Sequence, residues 1–577
     1  MSKTSPKFIF VIGGVISGLG KGIFTASLAK LLKLYGYSLN PIKIDPYLNI
    51  DAGTMRPTEH GEVWVTYDGG EIDQDLGNYE RFLEQKFSKN NNITSGKIFS
   101  QILDMERKGK FLGKTVQYIP HVTNLIEKIL IKNHNKSKAN ITIVEIGGTV
   151  GDYESSLFFH TIARMQTKYN IAVVFMGYIL YPPHLQELKT KPFQHALNNL
   201  FSYGIRPDLL VLRSNKEIDS PRIQKIANAS GMPESTILPM PDTNNILGIP
   251  LYLNTYKTHD LILNKLKLQN RSKLSSASKL PMFNKNNKAS KIKQYEKFIK
   301  KINILSKSNQ TLKIALVGKY FGTGKFTLAD SYISVIESLK YASYANNIKL
   351  DFEWIDSTKI DSNFSDSKMR TLLKQARAIV VPGGFGSTGV QGKIRTIRFA
   401  RENKIPYLGL CYGLQLAVIE YARNILKLKK ANTTEIDPET PYPVIDILPE
   451  QKKILRKKMY GATMRLGEYK AYLQPNTIVF ETYKTRKRLL KDDLGYYVVE
   501  RHRHRYEVNP DYHEQLTKNG LILSGMSADK RLVEFIELPK TKHPYFVATQ
   551  AHPEFTSYPQ DPNPLFWGLL HSALKNK

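Results

Sequence analysis

Cys411 is the only cysteine in 577 residues, and it stands in YLGLCYGLQ, an apolar run ending in a G-x-C-x-G turn. A nucleophile on such a turn is lifted above the end of a strand, with the next backbone N–H groups aimed at its target. A thiol used this way needs a base to make it a thiolate and donors to hold an oxyanion. His552 and Glu554, in the H-P-E that follows YFVATQ, offer an imidazole and a carboxylate to orient it. PGGFG at 382–386 follows ARAIVV, and its glycines let backbone N–H groups approach a developing negative charge. Alone, a buried cysteine is usually inert packing. Three such features at three strand ends point to nucleophilic catalysis.

A second group of residues suits phosphate. GGVISGLGKGI at 13–23 lies between an apolar run and a helical segment, where glycine-rich backbone and a helix N-terminus form an anion cradle. It is not a regular Walker A: Gly14 is one residue too far from Gly20-Lys21, and Gly22 stands where a Ser or Thr would hold Mg²⁺. Metal ligands must then come from elsewhere. Asp75, in GGEIDQDLGNYERF, and Glu145, at the C-terminal end of ITIVEIGG, are suitably placed carboxylates. Taken singly, they read as a solvated loop acid and a strand-end cap.

The elements that must position these groups form two α/β series. FIFVI, NPIKID, ITIVEIGG, IAVVFMGYIL and DLLVLRS alternate with helical segments such as SLAKLLKLYG, the rhythm of a parallel sheet wrapped by helices. The rhythm stops in LQNRSKLSSASKLPMFNKNNKASKIKQ and restarts with TLKIALVGKY, KLDFEWID, ARAIVVPGG, IPYLGLC and YFVATQ. The expected organisation is a P-loop-like parallel-sheet α/β domain over 1–265, a linker over 266–310 and a second α/β domain over 311–577. Residues 447–500 form a charged stretch that the pattern does not place.

One cysteine cannot form an internal disulfide, which fits a reducing compartment. MSKTSPKFIFVIGG reads as a first strand, and no uninterrupted apolar stretch reaches the roughly 18 residues of a spanning helix, so a cytoplasmic protein without a membrane partner is expected. The formal charge of +32 invites a nucleic-acid reading, but much of it lies in Lys/Asn-rich stretches such as SKNNN and NKNNKASKIKQ. General attraction to anionic nucleotides fits better than a dedicated nucleic-acid surface.

Residues 311–577 resemble a class I glutamine amidotransferase domain. The run GGVISGLGKG, KIDPYLNIDAGTMRPTEHGEVWVTYDGGEIDQDLGNYERF, VEIGGTVGDYES and KTKPFQHAL, with ANTTEID and VERHRHRYEV in the second half, resembles the CTP synthase family. The resemblance implies that the first domain is a synthetase, that glutamine hydrolysis releases ammonia, and that ATP phosphorylates the uracil 4-oxygen of UTP before ammonia displaces phosphate. It implies Cys411 as nucleophile, His552 as proton carrier and Glu554 as its orienter. Gly384 and the N–H after Cys411 would hold the oxyanion. Glutamine would meet Tyr412, Gly413, Leu414, Gln415, Glu435 and Arg505. ATP would be held by Gly18, Leu19, Gly20, Lys21, Gly22 and Ile23, with Lys43 at the reacting phosphoryl, His60 near the transfer site, and Asp75 and Glu145 on Mg²⁺. Ser17, Lys189, Thr190, Lys191, Pro192, Phe193, Gln194 and Lys225 would bind UTP. Asp152, Tyr153 and Glu154 would recognise CTP as feedback inhibitor. GTP activation and a homotetramer are implied in the same way.

The chain departs from that pattern. Gly18 replaces a serine, and the lid segment GFGSTGVQG carries Thr388 and Gln391 where the family has arginine and glutamate, which bears on GTP control. FGTGKFTLADSY at 321–332 is longer than usual, and its GTGK has the wrong spacing for a phosphate loop. In RHRHR at 501–505, alternation puts the three arginines on one face, read as a pocket wall for glutamate-like ligands.

Overall fold

The computed structural model describes residues 5–55, 61–268, 285–319, 322–323, 326–327, 329–360, 364–447 and 464–576; for 285–290, 322, 323, 326, 327, 329 and 330 it describes the backbone only. The chain forms two units: Met1–Ala52 with Asp75–Lys300, and Gly53–Gln74 with Lys301–Lys577.

The first unit is built on a seven-stranded sheet, in the order Asn92–Thr94, Leu39–Asp45, Ile141–Ile146, Lys7–Gly14, Asn170–Tyr178, Leu209–Ser214, Ile237–Pro241. Every neighbouring pair is parallel. Helices cover both faces, so the strands read as continuous apolar runs; Lys7–Gly14 is buried from Phe8 onward. The first strand is central, and successive crossovers run to one side and later to the other. Open α/β sheets bind ligands at that reversal, beyond the carboxyl ends of the strands.

The second unit has a ten-stranded mixed sheet. Lys349–Asp356, Thr311–Gly318, Ala378–Val381, Tyr407–Leu410 and Phe546–Thr549 are parallel neighbours. Val533–Glu537, Ile522–Met526, Arg465–Leu473, Gly495–His504 and Leu490–Asp492 extend it by antiparallel pairing. Separate buried apolar clusters cover the sheet, one built on Tyr412–Asn424 and Val390–Glu402, the other on Ile333–Asn346 and Pro564–Lys575.

Every apolar run named from the sequence is a strand. Three readings change. Lys285–Ser306, read as linker, is helical, and it carries Tyr295, which is 4% exposed and donates to the Leu247 carbonyl at 2.7 Å. The unplaced stretch supplies two long antiparallel strands after residue 464, while 448–463 lie outside the described residues. The segment Gly53–Gln74, expected in the synthetase domain, belongs to the second unit as the hairpin Val63–Val65/Glu71–Asp73.

Candidate active sites

In the first unit the glycine-rich turn leads into the helix Lys21–Leu34, with Gly20 at its N-cap in the left-handed region (φ 77°). Ser17 and Gly18 are exposed, Leu19 is buried and Ile23 half-buried, so the turn presents backbone to a ligand while Leu19 anchors it. The Lys21 side chain is 8% exposed and donates to the Gly148 carbonyl at 2.7 Å. Burial lowers its pKa, a cation held where an anion would relieve it.

Beside it three carboxylates converge on one lysine. Lys43 Nζ lies 3.2 Å from Glu145 Oε1 and 3.6 Å from Asp45 Oδ1, and it is hydrogen-bonded to Asp75. Glu145 is 1% exposed, and its second oxygen accepts from the Tyr79 hydroxyl. Burial, then repulsion from Asp75, raises the Glu145 pKa against the pull of Lys43, and burial raises that of Asp45. Gly22 explains the missing Walker hydroxyl: a Cβ there would lie 2.1 Å from Asp75 Oδ1. The carboxylate occupies the space that a side chain at 22 would fill, so the oxygen comes from another element.

The other residues expected to meet nucleotide are spread over three elements. Thr190 is buried at the N-cap of the helix Lys191–Ser202, with Pro192 in its first turn, and it accepts from Gln194 at 3.2 Å. Phe193 is fully buried against Phe175, so its part is to hold the helix. Lys191 is exposed, Lys189 pairs with Glu187 at 2.7 Å, and Lys225 is exposed on the helix Ser220–Ser230. Asp152 accepts from the Thr149 N–H at 2.6 Å, and Tyr153 is 92% exposed with Glu154 beside it. His60 lies outside the described residues.

In the second unit Cys411 caps the helix Tyr412–Asn424 with φ 50° and ψ −99°, a strained backbone that fits the nucleophile turn. Its thiol faces the Arg503 carbonyl and the Gln550 amide, each at 3.8 Å. His552 Nδ1 is 2.7 Å from Glu554 Oε1, and Nε2 is buried with no partner other than the thiol among the described residues. Gly383 is wedged between them: a Cβ there would lie 3.0 Å from His552 Cε1 and 3.7 Å from Cys411 Cβ. Burial by itself would lower the His552 pKa, but the charges of Cys411 and Glu554 outweigh it and hold it well above the ordinary value. A protonated imidazole beside the sulfur would favour its negative charge.

Tyr412, Leu414 and Gln415 point into the core, Gln415 donating to the Tyr506 carbonyl at 2.9 Å, so this turn can offer glutamine its backbone only. Glu435 accepts from the Gly386 N–H at 2.8 Å; burial raises its pKa, moderated by that bond and by Lys319 and Arg505. In the lid segment Gln391 accepts from Arg423 at 3.2 Å.

RHRHR behaves differently from expectation. His502 and His504 are buried near Glu534 and Glu507. Arg501 and Arg503 face the Val63–Asp73 hairpin: Arg501 donates to the Val65 carbonyl at 3.0 Å and lies over the Trp64 ring, and Arg503 donates to Glu71 at 2.8 Å. Their carbonyls meanwhile hold the site, Arg501 accepting from the His552 N–H at 2.7 Å and Arg503 facing the thiol. Trp64 packs on Phe555 at 4.8 Å, and Phe555 stacks on the His552 ring at 5.2 Å. Of this arginine row only Arg505, past the strand, is left beside Glu435. Sequence reasoning missed Asp45, Tyr79, Trp64 and Gln550; none sits in a turn that announces it.

The family model described as CTP synthase N-terminus matches residues 7–268, and that described as glutamine amidotransferase class-I matches 327–572. The CTP synthase of Methanococcus aeolicus is 46% identical over 576 residues, covering 99% of each chain. That of Caldanaerobacter subterraneus subsp. tengcongensis is 44% identical over 575 residues, with the same coverage. A solved structure, the Trypanosoma brucei CTPS glutaminase domain with bound acivicin, is 35% identical, covers 46% of this chain and 95% of that one, and has a TM-score of 0.40. With a family model matched in each half and relatives of the same length agreeing over 99% of the chain, the chain belongs to the CTP synthase family, glutamine-hydrolysing ligases that aminate UTP to CTP.

Proposed function

We propose that the two sites divide the reaction as follows. Cys411 attacks the side-chain amide of glutamine, and the developing oxyanion is held by the N–H groups of Gly384 and Tyr412. His552, held in place by Glu554, gives its proton to the departing ammonia. Glu435 suits the α-amino group of glutamine and Arg505 its α-carboxylate. In the first unit the backbone of 18–23 and Lys21 hold the ATP phosphates, and Lys43 reaches the transferred phosphoryl. Ser17, Lys189 to Pro192, Gln194 and Lys225 bind UTP, with Phe193 holding the helix Lys191–Ser202 from the core, and Asp152 to Glu154 bind CTP as inhibitor.

Asp75 and Glu145 fit Mg²⁺: hard oxygen donors gather around a point where a lysine ammonium is already favoured. Mg²⁺ held there would neutralise charge on the reacting phosphates. A cytoplasmic homotetramer and GTP activation complete the proposal, with Thr388 and Gln391 altering the GTP response. The observation that carries the reading is the His552–Glu554 pair beside a strained Cys411.

The test follows CTP formation by absorbance. Cys411→Ala should abolish synthesis from glutamine and retain it from ammonia, and loss of both would overturn the division. Lys21→Ala should abolish synthesis from either source, and normal rates would remove the phosphate-loop assignment.

A further inference from the structure

The helix Val390–Glu402 turns one lysine inward beside the thiol site. Gly392 makes this possible: a Cβ there would lie 2.1 Å from the Ser357 carbonyl, so only glycine lets the helix start press against Ser357–Lys359. The next residue, Lys393, is fully buried, and its Nζ has no hydrogen-bond partner among the described residues. It lies 3.6 Å from the Cβ position of Gly384 and 5.6 Å from the Tyr412 ring centroid. Those two residues flank the position of the oxyanion. Among the described residues no carboxylate pairs with it; the charges acting on it are Lys319, which repels, and Cys411, which attracts. Burial, then Lys319, lowers its pKa to about 7.

An uncompensated buried lysine is costly to a fold unless its charge is needed. We propose that Lys393 is a charge-supplying positioning residue for glutamine hydrolysis, its ammonium lying beside Gly384 to stabilise the negative charge that moves from the Cys411 thiolate to the glutamine oxygen. The proposal rests on Cys411 as nucleophile. Lys393 forms no bond and passes no proton: sulfur bonds to the amide carbon, the carbonyl electron pair moves to oxygen, and the pair returns as the C–N bond breaks and ammonia leaves with the proton of His552. The cation is useful only while the oxygen carries that charge, so it acts on kcat more than on KM.

The experiment, run at pH 6.5 so that an amine of pKa about 7 is mostly protonated, compares Lys393→Met, close in volume and without charge, with the unmodified protein, and runs Cys411→Ser in parallel. Lys393→Met should lower kcat for glutamine hydrolysis on the order of 10²-fold with KM within about threefold. It should leave ammonia-dependent CTP synthesis unchanged and raise Tm, because the desolvated amine is gone. A normal kcat would overturn the inference, as would a loss of kcat accompanied by a lower Tm. If Lys393→Met does not fold, Lys393→Gln carries the same kcat criterion. Should Cys411→Ser still hydrolyse glutamine, the nucleophile assignment itself fails, independently of Lys393.

Discussion

Glu554 binds only Nδ1 of His552, so it fixes which nitrogen faces the sulfur and adds negative charge behind the ring. An ordinary imidazole loses its proton near 6.5; this one, raised, keeps it at higher pH. The stability drawn from the raised pKa is therefore complete below about 6.5 and disappears as pH climbs through the folded-state value. Glu554→Gln removes one of the two charges responsible. Alkylation of Cys411 by iodoacetamide at pH 8 should slow, and kcat with glutamine should fall on the order of 10²-fold while ammonia-dependent synthesis stays. An alkylation profile identical to that of the unmodified protein would take Glu554 out of the relay. Cys411, His552 and Glu554 were legible because each sits in a short motif just after an apolar run. Asp45 and Tyr79 were not, because what makes them part of the site is contact between distant segments: Asp45 accepts from Asn92 across 47 positions, and Tyr79 meets Glu145 across 66.

The Gly495–His504 strand does two jobs on opposite chemical groups of the same residues. Backbone carbonyls of Arg501 and Arg503 meet His552 and Cys411, while their guanidiniums grip the Val63–Asp73 hairpin. Glu62 adds a further hold, accepting from the Ser334 N–H at 3.1 Å, and the Tyr67 carbonyl accepts from the Glu468 N–H at 3.0 Å. Trp64 is 1% exposed, so Trp64→Ala should cost about 3–5 kcal/mol in denaturant unfolding of the second unit. It should also depress glutamine hydrolysis, since Phe555 loses the ring that backs it against His552. Trp64→Phe should restore most of both; failure to do so would mean that the indole acts other than by packing. At this scale the alternation of RHRHR predicted which side chains share a face but not what that face meets. The partner is a hairpin from more than 400 positions upstream, and no local pattern encodes a docking of that length. The strands of the parallel sheets were readable because burial on both faces makes them continuous apolar runs. The two long antiparallel strands after residue 464 were not, because charged residues interrupt their apolar positions.

Over the whole chain the formal charge is +32, far from balance. Triphosphates are polyanions and glutamine is a zwitterion, so long-range attraction should favour the former and weaken as salt shortens the Debye length from about 10 Å at 0.1 M to about 3 Å at 1 M. Raising KCl across that range should increase KM for ATP and UTP several-fold and change KM for glutamine by less than twofold. Equal shifts would mean that the excess lysines do nothing for substrate capture. The assignment of Gly53–Gln74 has a further consequence. Two-domain enzymes can often be divided at the linker between their units, and one fragment grafted onto a new host. Here no single cut would serve: a cassette starting at residue 301 would leave Trp64 and Glu71 behind. A chimaera between relatives must carry 53–74 from the same parent as the thiol.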